Sequence, residues 1–276
     1  MTAYYSMQRK KNGLSERPIG IFDSGLGGLT VFKEVRRMLP RENLVYFGDT
    51  ARVPYGSKSP QAVKKFAAEI AAYLKSFNVK AIVVACNTVS SLALREVSDI
   101  AGVPVIGVIK PGAIEAAGAC KNGRITVIGT SATVNSRAYE RELRKINPSF
   151  KIKQKACPLF VPLVEEGWAE GKIAKEVIAE YLSEFRKSGP GTLILGCTHY
   201  PMLKKNISSF LPDYRIIDSA ESVAKFLFEE LSLRGLISKV GSGRSLFIVS
   251  DAPEKFRALA KKLLGIKIKS VKVKRF

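Results

Sequence analysis

The sequence predicts an α/β protein made of two pseudo-symmetric units, each with a mainly parallel central sheet, and an active site in the cleft between them. Three observations carry that expectation. Short apolar strands alternate with amphipathic helices along most of the 276 residues, the order that builds α/β folds. Several strands are apolar throughout, as strands covered on both faces are. One strand–cysteine pattern also occurs twice. Ala81 to Thr88 reads AIVVACNT and Thr192 to His199 reads TLILGCTH; each is a buried strand, a small residue, a cysteine, then polar groups opening a helix. Upstream, Ile19 to Ser24 (IGIFDS) and Thr126 to Ser131 (TVIGTS) form a second pair. Similar intervals separate Asp23 from Cys86 and Thr130 from Cys197.

Taken in order, strands are expected at 18–23, 43–48, 80–85, 103–109, 124–129, 150–155, 192–196, 214–218 and 245–249. After the first strand the loop Gly25 to Gly28 leads into a helix at 29–39. That loop has neither the GxGxxG nor the GxxxxGK[ST] spacing of a phosphate cradle, so it is read as a tight turn. Ser59-Pro60 is an N-cap followed by proline at the first helical position. Val63, Phe66, Ala67, Ile70, Tyr73, Leu74 and Phe77 then line one apolar face. Ile173, Val177, Ile178, Tyr181, Leu182 and Phe185 repeat the pattern later in the chain. Near the end, Ile266-Lys267-Ile268-Lys269 and Val271-Lys272-Val273-Lys274 alternate apolar with basic residues, as an edge strand guarded by lysines does. The division expected is a basic N-terminal extension at 1–16, a first domain from 17–112 and 216–276, and a second from 113–215.

Composition narrows the class. The chain carries 45 Lys and Arg against 24 Asp and Glu, a net charge of +21, with 46% hydrophobic residues. That apolar share is enough for packed cores and excludes a disordered chain. No apolar run approaches the roughly 18 residues of a membrane helix, and the N-terminus lacks the apolar stretch of a secretory signal. A cytoplasmic protein is expected. The charge admits a nucleic-acid surface, but no helix-turn-helix, RNP or zinc-finger pattern accompanies it, which favours a basic soluble surface.

Cysteines stand at 86, 120, 157 and 197, and His199 is the only histidine. There is no CxxC pair and no zinc spacing, so no metal is expected. Cys86 and Cys197 follow strands and open helices, where unpaired N–H groups and the helix dipole favour a thiolate and lower its pKa. Cys120 and Cys157 lack that setting and are read as structural. Two thiols facing one cleft suit inversion of a carbon bearing hydrogen, one removing a proton and the other returning it. Disulfide exchange would want the sulfurs adjacent, and a cysteine hydrolase one thiol with a histidine and an oxyanion hole. A pyridoxal-phosphate racemase would need a Schiff-base lysine and a phosphate cup, and the thiol pair leaves that cofactor no task. Asn87, Thr88 and Thr198 sit at helix starts, where a substrate carboxylate finds unpaired N–H groups. Thr130, Ser131 and Thr133 occupy the second unit's counterpart of the Asp23 turn, as substrate contacts or as caps.

The residues also resemble a known family. Gly20 to Thr30 (GIFDSGLGGLT) and Tyr46 to Gly56 (YFGDTARVPYG) are similar to the N-terminal signatures of the glutamate racemases. Ala85 to Thr88 (ACNT) and Gly196 to Pro201 (GCTHYP) resemble that family's two cysteine motifs, and Pro158 to Glu165 (PLFVPLVE) resembles the segment between them. The resemblance implies a cofactor-independent racemase making D-glutamate for peptidoglycan, with aspartate or another acidic amino acid as the nearest alternative substrate. It implies that Cys86 deprotonates D-glutamate and Cys197 L-glutamate, that Asp23 serves Cys86, and that His199 and Glu165 serve Cys197. Ser24, Tyr55 and Gly56 match family positions that hold substrate, and Asp23 and His199 are expected to touch it as well. A homodimer is expected.

Overall fold

The computed structural model describes residues 13–276; most of the expected N-terminal extension, residues 1–12, lies outside the described residues. The chain forms two sheets. The first, in the order β10-β9-β2-β1-β3-β4, contains β1 (Ile19–Asp23), β2 (Leu44–Gly48), β3 (Ala81–Val84), β4 (Val105–Gly107), β9 (Ser245–Val249) and β10 (Lys272–Val273). The second, β6-β5-β7-β8, contains β5 (Arg124–Gly129), β6 (Lys151–Ala156), β7 (Gly191–Gly196) and β8 (Tyr214–Asp218). Every described strand pair is parallel.

The inner order 2-1-3-4 of the first sheet recurs as 6-5-7-8 in the second. The repeat noticed in the sequence is therefore a repeat of topology. In both sheets the winding direction reverses at the central pair, β1/β3 or β5/β7, and such a reversal opens a crevice at the carboxyl ends of the strands. Asp23 ends β1, Cys86 follows β3, Thr130 follows β5 and Cys197 follows β7.

Parallel strands buried on both faces explain the uninterrupted apolar runs. Ile19, Ile21, Ala81 and Val83 pack beneath helices Leu29–Met38 and Ser219–Leu233, while Phe22, Ile82 and Val84 pack beneath Pro60–Lys75. The Ser59 cap forms as expected, its hydroxyl accepting from the Ala62 N–H at 3.2 Å, with Val63, Ala67, Ile70 and Leu74 buried. The second sheet is covered by Lys172–Arg186 on one side and by Ile109–Ala119 and Ala138–Ile146 on the other.

Some boundaries differ from the sequence reading. The strand expected at 103–109 is only Val105–Gly107, because Ile109 already opens the next helix. That helix packs on the second core from Ile109 onward, and β8 stays paired with β7 through Asp218. The segment 266–269 is not a strand. Helix Pro253–Leu264 ends on Gly265 at φ +69°, after which Ile268 is drawn into the first core and its carbonyl accepts from Arg257 Nε. Only Lys272 and Val273 pair, beside β9, at the exposed edge.

One buried ion pair ties the amino ends of the first sheet together. Lys80 Nζ lies 2.5 Å from Glu42 Oε2, both side chains 1% exposed; Lys80 also donates to the carbonyls of Ser15 and Leu236, and Glu42 Oε1 accepts from the Ser238 N–H. Burial lowers the Lys80 pKa and Glu42 opposes it. Removing one partner strands the other charge in the core, so Lys80→Ala should cost about 3–5 kcal/mol in urea unfolding. Lys80→Met combined with Glu42→Leu should cost less than Lys80→Ala alone.

Candidate active site

The carboxyl ends of the two central strand pairs meet across one small pocket. Ser24, Pro54, Tyr55, Gly56, Cys86, Asn87 and Thr88 line it from the first unit, and Thr130, Val161, Cys197, Thr198 and His199 from the second. Its free volume is about 10 Å³, scarcely room for one water. A larger cavity of about 500 Å³ lies among Gly118, Asn122, Gly191 and Arg215 and holds neither thiol.

Cys86 is the N-cap of helix Asn87–Leu92 without a side-chain cap hydrogen bond; the Val89 N–H and the Ser24 hydroxyl lie beside its sulfur. These favour the anion, as expected from sequence, yet they lose. Burial and the neighbouring Asp23 charge push the thiol up to about 12, so Cys86 carries its proton. The lowered thiol pKa expected at a helix start is thus corrected for Cys86: withdrawal from water outweighs the end of a short helix.

Asp23 lies behind the pocket wall, fully buried. Its Oδ2 accepts from the Gly25 N–H at 3.0 Å and its Oδ1 from the Thr198 hydroxyl at 3.1 Å. Burial raises its pKa, against the positive charge of His199 and these hydrogen bonds. The Gly25 to Gly28 turn keeps this region tight. A side chain on Gly27 would collide with the Thr198 hydroxyl and stand 2.6 Å from His199 Nδ1, which explains a glycine there without any phosphate ligand.

On the other side His199 Nδ1 lies 3.9 Å from Cys197 Sγ, and His199 Nε2 lies 2.6 Å from Glu165 Oε1. Burial opposes a charge on the imidazole, but Cys197 and Glu165 outweigh it and raise its pKa well above 6.5. Glu165 is held below its ordinary value: burial pushes it up, and the hydrogen bond and charge of His199 pull it down further.

Hydroxyls bridge the units. Thr88 and Thr130 share a hydrogen bond at 2.9 Å, Thr130 and Thr133 one at 3.0 Å, and Tyr139 Oη donates to Asn87 Oδ1 at 2.7 Å. Thr133 therefore stands behind Thr130 as well as within its cap, and Ser131 faces a neighbouring outer cavity with Ser57 and Lys58. Among the described residues, Asn87 Nδ2 is buried without a partner, no lysine or arginine lines the pocket, and no cluster has the donors to hold a metal. Cys157 packs in the second core with its carbonyl accepting from Tyr200 Oη, and Cys120 lies half-buried beside Arg124; neither lines the pocket.

The sequence reading missed three features. Pro54 and Val161 form apolar wall of the pocket, in motifs quoted above but without polar groups to draw notice. Asp49 and Arg52, in the Tyr46 to Gly56 motif, support Tyr55: Tyr55 Oη and Arg52 Nε both donate to Asp49 Oδ2, and Arg52 bridges on to Glu69 at 2.5 Å. Tyr139, on helix Ala138–Ile146, carried no sequence signal.

A two-sheet α/β enzyme with a thiol from each unit at one closed pocket is the class this fold and site define. The chain belongs to the Asp/Glu/hydantoin racemase family, whose model matches residues 19–227. Within that family it is similar to the glutamate racemases. That of Chlorobaculum parvum is 51% identical over 93% of this chain and 95% of its own. The structure of the Francisella tularensis enzyme with D-glutamate superposes with a TM-score of 0.88 at 40% identity, covering 94% of this chain and 98% of that one. The Thermus thermophilus enzyme with β-chloro-D-alanine gives 0.86 at 47%, covering 95% and 98%.

The His199–Glu165 pair should be visible in the pH dependence of stability. The raised histidine contributes fully below its ordinary value of 6.5 and loses that contribution as pH rises through its folded value. The lowered glutamate contributes above its ordinary 4.5 and loses that as pH falls through its folded value. The stability advantage of wild type over Glu165→Gln should therefore peak between these two pH values and shrink on either side. Denaturant midpoints measured at stepped pH check this, and a flat difference would show that the pair is not charged.

Proposed function

We propose that the protein interconverts L- and D-glutamate without a cofactor, Cys86 and Cys197 working on opposite faces of the α-carbon, and so supplies D-glutamate for peptidoglycan in the cytoplasm. The observation that carries this reading is that both thiols line the same pocket, each backed by a different acid–base assembly. From L-glutamate, the Cα–H bond breaks as an S–H bond forms at Cys197. The Cys86 S–H bond then breaks as a new Cα–H bond forms on the other face. Starting from D-glutamate the steps run in reverse, with Asp23 taking the Cys86 proton so that the sulfur can act as base. Beside Cys197 the His199 imidazole does the matching work: it takes the Cys197 proton to become the imidazolium that Glu165 stabilises, and gives it back to the sulfur when turnover runs the other way.

Proton transfer by a positioned side chain contributes about 10²–10⁴-fold, so the carbanion-like state needs further help. Asn87, Thr88 and Thr198 offer neutral donors to the substrate carboxylates, and the closed pocket keeps out water that would compete for them. Glutamate cannot enter a space of about 10 Å³, so binding requires the units to part. A homodimer and the division into two domains, one around each sheet, belong to the same reading.

The test is incubation of dialysed protein with L-glutamate in D₂O. D-Glutamate should accumulate to a racemic mixture with deuterium at Cα; absence of turnover, or turnover restored only by added pyridoxal phosphate or metal, refutes the proposal. Aspartate under the same conditions should turn over far more slowly.

Single substitutions divide the labour. The enantiomers have equal free energy, so kcat/KM must be equal in both directions for every variant. Cys86→Ser or Cys197→Ser should therefore lower racemisation by orders of magnitude both ways. Elimination from a glutamate analogue with a leaving group on Cβ needs only one deprotonation. Cys86→Ser should keep it for the L-analogue alone, and Cys197→Ser for the D-analogue alone. Equal loss of both eliminations in one variant would assign both faces to one cysteine.

A further inference from the structure

Asn87 is a primary amide with its two ends in different surroundings. Its Oδ1 accepts from Tyr139 Oη at 2.7 Å, while its Nδ2 lies buried without a partner beside the pocket. An amide can present either end to a ligand, and only the NH₂ end attracts a carboxylate. Something must hold the correct end forward.

The geometry points to Tyr139 as the positioning residue that fixes the Asn87 amide with its NH₂ toward the substrate carboxylate. The phenol is fully buried and kept neutral, its pKa raised by burial and by the neighbouring Asp218 and Cys197 charges. The phenol donates its proton to Asn87 Oδ1 at 2.7 Å. Gly112 and Gly196 flank the ring, where a methyl on either would stand only 3.3 or 3.2 Å from it, so the absence of a side chain at both positions lets the ring sit there. Asn87 comes from the first unit, after β3, while Tyr139 comes from helix Ala138–Ile146 of the second. The donor that meets the carboxylate is thus oriented correctly only when the units are together.

This inference rests on Asn87 holding a substrate carboxylate, as proposed above. The test is calorimetric titration of D-glutamate into wild type, Tyr139→Phe, Asn87→Ala and the double variant, with KM and kcat measured beside it and thermal unfolding as a check on folding. Tyr139→Phe keeps the ring and should raise Kd and KM about tenfold, with a smaller change in kcat. Asn87→Ala should weaken binding at least as much, and the double variant should bind no worse than Asn87→Ala alone. Asn87→Asp keeps the acceptor for Tyr139 but replaces the NH₂ with a carboxylate oxygen that repels the substrate, so with folding checked by thermal unfolding it should bind more than about tenfold worse. Unchanged binding in Tyr139→Phe beside weakened binding in Asn87→Ala overturns the role of Tyr139 and leaves that of Asn87. A full further loss on adding Tyr139→Phe to Asn87→Ala also overturns it, because Tyr139 would then act through something else. Unchanged binding in both Asn87 variants overturns the role of Asn87 and with it this inference.

Discussion

Everything at this site depends on where parallel pairing leaves the strand ends. A parallel sheet sends each strand's carboxyl end to the same edge, and a reversal of winding at the central pair parts the helices there. Here that happens twice, at β1/β3 and β5/β7, and the two edges face each other. Backbone hydrogen bonding thus places Asp23, Cys86, Thr130 and Cys197 in one small volume before any side chain chooses a rotamer. The bridges between units, from Thr198 to Asp23 and from Thr88 to Thr130, refine a juxtaposition that topology has already made.

Once the edges meet, exclusion of water governs the chemistry. The two thiols are surrounded differently. Beside Cys86 stands a carboxylate whose pKa is raised by burial and whose charge raises that of the thiol. Beside Cys197 stands an imidazole whose ionisation is sustained by Glu165 at 2.6 Å. A pseudo-symmetric frame therefore carries an asymmetric set of charges. This suits a reaction whose ends are mirror images in an enzyme that is not: at each moment one sulfur must hold a proton while the other receives one.

Much of this was legible in the sequence because it is written in periodicity and in paired motifs. The apolar runs at Ile19–Asp23 and Ala81–Val84 and the Ser59-Pro60 cap each reflect a local rule that the tertiary structure respects. The doubled cysteine turn holds in part: Cys86 caps helix Asn87–Leu92, whereas after Cys197 a 3₁₀ turn begins only at Tyr200. Family motifs brought forward Glu165, which no spacing argument would have selected. What stayed hidden depends on contacts across the chain. The alternation at 266–269 satisfies a strand pattern, yet Ile268 is captured by the first core and the ladder never forms. The thiol pKa at Cys86 was misjudged because a helix start is visible in sequence and complete burial is not. Tyr139 reaches Asn87 across 52 positions of sequence, and nothing near either residue announces the other.

The narrowness of the pocket bears on the durability of its sulfurs. Oxidants such as peroxides attack thiolates that they can reach. Cys86 and Cys197 are 5% and 6% exposed, in a chamber with room for about one water, and burial holds Cys86 toward the protonated, less reactive thiol. The chamber therefore shelters its sulfurs from small oxidants as well as from solvent. On the proposed parting of the units, overoxidation would wait for the same openings that admit substrate and release product.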